Sequence, residues 1–191
     1  MKKLCNVLVL ICAALILSIN AAFATDFTAN TTNPTLTTAL NKLESIGKDD
    51  VINVIQGQNS TGKPIKILFR NLAVYGQGTC EAVTGKTASG SLVIMINNIH
   101  EDAPVEAIAC LIAHESVHHA NTKTFAEELR AWTKETMTWI AFTQENPDLK
   151  ISDSKLVKRE NYLAKLYAQD GNQTTSIEHI IATNSAYQNL K

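Results

Sequence analysis

The segment His114-Glu115-Ser116-Val117-His118 sets two imidazoles four residues apart with a carboxylate between them. Residues four apart lie on one face of a helix, so both rings can converge on one metal ion. Glu115 is turned about 100° from His114 around the helix axis and stands beside such an ion rather than on it. That is the position of a general base acting on a metal-bound water. For a chain of 191 residues with five histidines, chance supplies about 0.008 such motifs, so coincidence ranks last among the readings.

A catalytic zinc site uses three protein ligands and keeps a fourth position for water, so a third ligand must come from outside the motif. Glu127 and Glu128 open the next helical segment, and Glu128 is ten residues beyond His118. Here the sequence resembles the gluzincins, H-E-x-x-H metallopeptidases whose third ligand is a Glu on the following helix with a small residue three places further on. Glu128 and Ala131 match that pattern, and Ala131, on the Glu128 face, would let the two helices approach closely. The resemblance covers roughly residues 104–135. It implies that His114, His118 and Glu128 hold one zinc ion and that Glu115 is the catalytic base and proton shuttle. Glu127 competes as third ligand or closes a capping box with Thr124. Trp132 stands where the family often has an Asp that orients the first His, which leaves that task to Glu135 or a backbone carbonyl. The family often uses a Tyr or His to stabilise the oxyanion, for which Tyr162, Tyr167, Tyr187 and His179 are the candidates. It also places an exposed edge strand before the active-site helix to hold the substrate, and Leu92 to Ile96 is the strand that analogy selects.

The elements that must position these residues follow from periodicity. Leu36, Ala39, Leu40, Leu43 and Ile46 recur at helical spacing, and Gly47 stops the helix expected over 35–46, with a short turn over 51–55 after it. Between Gly57 and Asn98 the pattern becomes β-branched runs, giving strands over 65–69, 72–75, 80–84 and 92–96, the last two joined by a hairpin through 85–90. Pro104 starts a helix leading to His118, a second runs over 124–144 until Asn146-Pro147, and two more cover 153–169 and 176–189. Thr175 and Glu178 form the capping box of the last. The fold class expected is α+β and zincin-like: a small sheet, an active-site helix, a third-ligand helix and two C-terminal helices that wall the cleft. His119 lies off the motif's face, and His100 and His179 read as ordinary surface or structural residues.

Lys2 and Lys3 precede an 11-residue apolar run, Val7 to Leu17, and Ala22-Phe23-Ala24 supplies a small-x-small cleavage pattern. A membrane span needs about 20 apolar residues, so residues 1–24 read as a cleaved signal peptide, with an uncleaved anchor as the alternative. Residues 25–33 are polar and aperiodic, a flexible lead-in, and 34–191 form a single domain. Residues 1–24 carry two lysines and no acid, so the remainder has net charge −3 against −1 for the whole chain. That balance gives no reason to expect nucleic acid or an anionic membrane as partner. Beyond Ala24 only Cys80 and Cys110 remain, and two cysteines in an exported protein are expected to pair, with two buried thiols as the alternative. The expectation is a periplasmic or secreted zinc metallopeptidase acting on peptides or proteins. Its competitor is a non-catalytic exported binding protein on the same scaffold, which Trp132 keeps open.

Overall fold

Asn33 accepts the Leu36 N–H and Pro34 fills the first helical position, so α1 (Pro34–Ser45) starts one residue before its expected bound. It buries Leu36, Ala39, Leu40 and Leu43, the stripe read from the sequence. The turn expected next is a complete helix, α2 (Asp49–Gln56), with two aspartates in its first turn where the helix dipole favours them. In the protein's structure, a computed structural model, residues 25–120, 122, 124–184, 187 and 190 are described. The expected signal peptide lies outside the described residues.

Three strands follow: β1 (Lys66–Arg70), β2 (Ala82–Lys86) and β3 (Leu92–Asn97). Their order is β1-β3-β2, with β1 parallel and β2 antiparallel to β3. Lys66 pairs with Val93, and Ala82 with Ile96. The hairpin between β2 and β3 is present, closed by Thr87 N–H to Ser91 O and turned at Gly90, whose φ of 79° suits glycine. β3 is therefore the centre of the sheet and not its edge. Its continuous apolar run already has that meaning, since a strand buried on both faces shows no alternation. The edge beside the following helix is β2.

Four more helices complete an α+β fold: α3 (Val105–Ser116), α4 (Phe125–Glu145), α5 (Lys155–Gln169) and α6 (Thr175–Thr183). Helix α3 is buried from Glu106 to Ser116 and is the central helix, packed on α1, α4 and the sheet. One core joins α1, α2, the sheet, α3 and Trp139, Phe142, Leu156 and Val157 of α4 and α5. A second cluster of Trp132, Leu163, Ile177 and Ile181 joins α4, α5 and α6. No described helix is long and apolar enough to cross a membrane.

Four further expectations are corrected. Residues 72–75 form a turn of 3-10 helix instead of a strand: Asn71 accepts the Ala73 N–H, and Gly76 ends the turn at φ 72°. Only Leu72 of that run is buried. The lead-in 25–33 is packed. Phe27 enters the core, and buried Asn30 donates to the carbonyls of Ile55 and Ile65 at 2.9 and 3.0 Å. Cys80 and Cys110 are both free thiols: Cys110 lies inside α3, wholly buried, whereas Cys80 sits on the loop before β2 against Gln77. Finally α6 ends at Thr183, and Thr174 rather than Thr175 bonds Glu178. Positions 185, 186, 188 and 189 of the expected helix lie outside the described residues.

Candidate metal centre

The motif sits where α3 runs out. His114 and Glu115 are in its last α-helical turn, and His118 is in the 3-10 turn Val117–Ala120 that continues it. Helix α4 returns beside it, started by Thr124, whose hydroxyl accepts the Glu127 N–H at 3.1 Å. Ala131, wholly buried, lies one turn after Glu128 on α4, and α3 and α4 pack directly on each other. The ligating atoms of His114, His118 and Glu128 come within 4.8 Å of one another. His114 Nε2 is 3.9 Å from Glu128 Oε2, and His118 Nε2 is 3.6 Å from Glu128 Oε1. Ligand atoms around a tetrahedral zinc stand roughly 3.4 Å apart, so these two distances exceed that spacing by about half an ångström or less.

Both imidazoles are held from behind. His114 Nδ1 bonds Glu135 Oε2 at 2.9 Å, and His118 Nδ1 bonds Glu127 Oε1 at 2.8 Å. With each Nδ1 engaged by a carboxylate, each Nε2 faces Glu128, the arrangement in which a neutral His offers its lone pair to a metal. Glu127 also accepts the Thr122 backbone N–H at 2.9 Å and the Thr122 hydroxyl. It is thus the partner of His118 and not the group facing both Nε2 atoms, and it does not return to Thr124 as a capping box requires. Glu135 is wholly buried and takes up the partnership with His114 that Trp132 at its position cannot. Arg159 of α5 forks onto Glu135, with Nη2 at 3.2 Å from Oε2 and Nη1 on Oε1, and Nη1 also reaches Glu160 Oε1 at 2.8 Å. The guanidinium lies 5.1 Å over the Trp132 ring, which in turn is 6.4 Å from the His114 ring.

The electrostatics follow from this wiring. Burial raises Glu128, and the two histidines only partly offset it. Its Oε2 is buried with no hydrogen-bond partner among the described residues. A carboxylate whose two oxygens face the two imidazole Nε2 atoms, with Oε2 orphaned, fits a metal ligand, and the N, N, O donor set suits zinc. Burial would raise Glu135 as well, but Arg159 and His114 outweigh it and hold that carboxyl well below the ordinary range. Glu160 goes the other way, driven well above the ordinary range by burial and by Glu135, which Arg159 only partly offsets. Burial pulls His114 down, but Glu135 more than reverses this and leaves it raised.

Glu115, 6% exposed, is fixed from the sheet. Thr84 of β2 donates to its Oε2 at 2.8 Å and lies 2.9 Å from its carbonyl oxygen. Among the four oxyanion candidates, Tyr162 is more than half exposed, His179 is on the surface and Tyr167 packs against the second cluster. Tyr187 stands edge-on to Trp132 at 6.2 Å, and burial and the Glu128 carboxylate push its hydroxyl up to about 12.

No family model matches the chain, and neither a curated protein nor a solved structure matches it.

His114, Glu115, His118 and Glu128 are thus brought together, whereas His100 is 14 residues away in sequence and pairs with Glu81. The sequence alone does not single out Arg159 or Thr84. Thr84 lies on a strand whose facing the hairpin alone leaves unspecified, and Arg159 belongs to a helix with no motif of its own.

Proposed function

We propose that the chain is a zinc-dependent metallopeptidase of zincin-like fold, in which His114, His118 and Glu128 hold one zinc ion and Glu115 is the general base. The observation that carries this reading is the convergence of two Nε2 atoms and an orphaned carboxylate on one point while both Nδ1 atoms are tied to carboxylates. Zinc, when bound there, supplies a Lewis acid and brings the pKa of a water down to about 7. Thr84 holds Glu115 Oε2 and leaves Oε1 to take the proton of the attacking water and pass it to the leaving amine. The free edge of β2 lies next to Glu115, so an extended peptide added there runs past the base. The proposed substrate is accordingly a peptide or protein, and residues 1–24 support an exported, periplasmic or secreted, location.

Trp132 supports a second reading, a binding protein that keeps the metal but not the chemistry. Substituting Glu115→Gln separates the two. In zinc-loaded protein, a quenched-fluorescent peptide mixture should be cleaved by the parent, and the variant should retain zinc but lose turnover by at least about a hundredfold. Equal cleavage by both proteins would refute the mechanism; zinc without cleavage in either would favour the binding protein.

A further inference from the structure

Glu135 receives three donors from two directions: both Nη atoms of Arg159 and the Nδ1–H of His114. Arg159 has little freedom, because Trp132 lies against the face of its guanidinium and Glu160 takes a further hydrogen bond from Nη1. A planar fork that fills both oxygens of a buried carboxylate leaves that carboxylate only acceptor sites to offer a third group. The third group here is His114, so its ring must carry a proton on Nδ1, and in the neutral ring Nε2 presents its lone pair toward Glu128.

We infer that Arg159 is a positioning residue for the metal centre, acting through Glu135 to fix the tautomer and orientation of His114. Helix α5, through an arginine 24 residues beyond Glu135, thereby becomes part of the site. The identity of the ion rests on the metallopeptidase reading; the control of the His114 ring does not.

The test uses Arg159→Lys, which keeps the charge but loses the fork, and Arg159→Met, which keeps much of the bulk and removes every donor. Two readouts are taken on the purified protein. Long-range 1H–15N correlation spectra of chelator-treated protein at pH 8 report the tautomer of each histidine. Competition with a chromophoric chelator reports zinc affinity. The parent should show His114 protonated at Nδ1. Both variants should populate the Nε2–H form of His114, while His118, held by Glu127, stays as in the parent. Zinc Kd should rise about tenfold in Arg159→Lys and toward a hundredfold in Arg159→Met, the range typical of groups that orient metal-bound histidines. If the methionine variant fails to fold, the lysine variant decides. An unchanged His114 tautomer with zinc Kd within twofold of the parent would overturn the inference. A parent that binds no zinc would remove the metallopeptidase reading, and the tautomer spectra would still decide the role of Arg159.

Discussion

Replacing Thr84 by Val removes one hydroxyl from the junction of β2 and the end of α3 while keeping the branched shape that suits a strand. That hydroxyl is the donor to Glu115 Oε2 at 2.8 Å and lies 2.9 Å from the Glu115 carbonyl, in a site where Glu115 is 6% exposed. A hydrogen bond to a charged group contributes about 1.5–3 kcal/mol, and here its loss leaves a buried carboxylate oxygen without its donor. In a domain of this size, 1 kcal/mol corresponds to about 2–4 °C in Tm, so a loss near 2 kcal/mol lowers Tm by about 4–8 °C. Thr84→Ser keeps the hydroxyl and deletes one methyl, worth about 0.8 kcal/mol, so it should fall by only about 2–3 °C. Thermal unfolding followed by circular dichroism at pH 7, with chelator present, measures both without needing a substrate. A valine variant that melts with the parent, or a serine variant that falls as far as valine, would show that the hydroxyl does not hold Glu115.

Glu128→Gln should reduce zinc affinity more than Glu127→Gln, because Glu128 faces both Nε2 atoms while Glu127 supports one ring from behind; chelator competition checks the order, and the reverse order would exchange their roles. Burial and Glu135 drive the Glu160 carboxyl well above its ordinary range in the folded chain, so the folded state holds that proton more tightly than the unfolded state and this group makes stability fall as pH rises above about 4.5. Glu160→Gln should therefore flatten the dependence of urea midpoint on pH between about 5 and 8 and raise the midpoint at pH 8; an unchanged slope would refute the raised Glu160. Glu135 has the opposite sign: its depressed carboxyl contributes stability that is present above about pH 4.5 and lost as pH falls through its folded value, visible as a steep acid limb that Glu135→Gln removes. Asn30→Ala should cost about 1–3 kcal/mol in urea unfolding, since two carbonyls lose their donor in a buried site, and no change would restore the view of residues 25–33 as unstructured.

What the sequence disclosed and what it concealed divide along physical lines. Helix bounds were legible because Pro34 and Thr124 act locally on the backbone, and α1 and α4 begin within a residue of expectation. The motif was legible because two histidines and a glutamate at helical spacing state their geometry outright. Residues 72–75 misled because a β-branched and aromatic run says nothing of exposure, and Val74 and Tyr75 lie open at 71% and 58%. The segment 25–33 misled because its burial is achieved by polar groups such as Asn30, which hydropathy reads as solvent-facing. Pairing Cys80 with Cys110 was an argument from compartment, and no such argument carries a distance. Glu135 could be singled out as a helper for His114, but Arg159 completes that arrangement from another helix, and contacts across helices leave no local trace.

The most direct test of the account is the zinc content of the purified protein and of its His114→Ala and Glu128→Ala variants, measured by mass spectrometry after dialysis from zinc-containing buffer. The account predicts about one zinc per chain in the parent and its loss in both variants. A parent that takes up no zinc when metal is offered during refolding, or one whose zinc survives both substitutions, would contradict it.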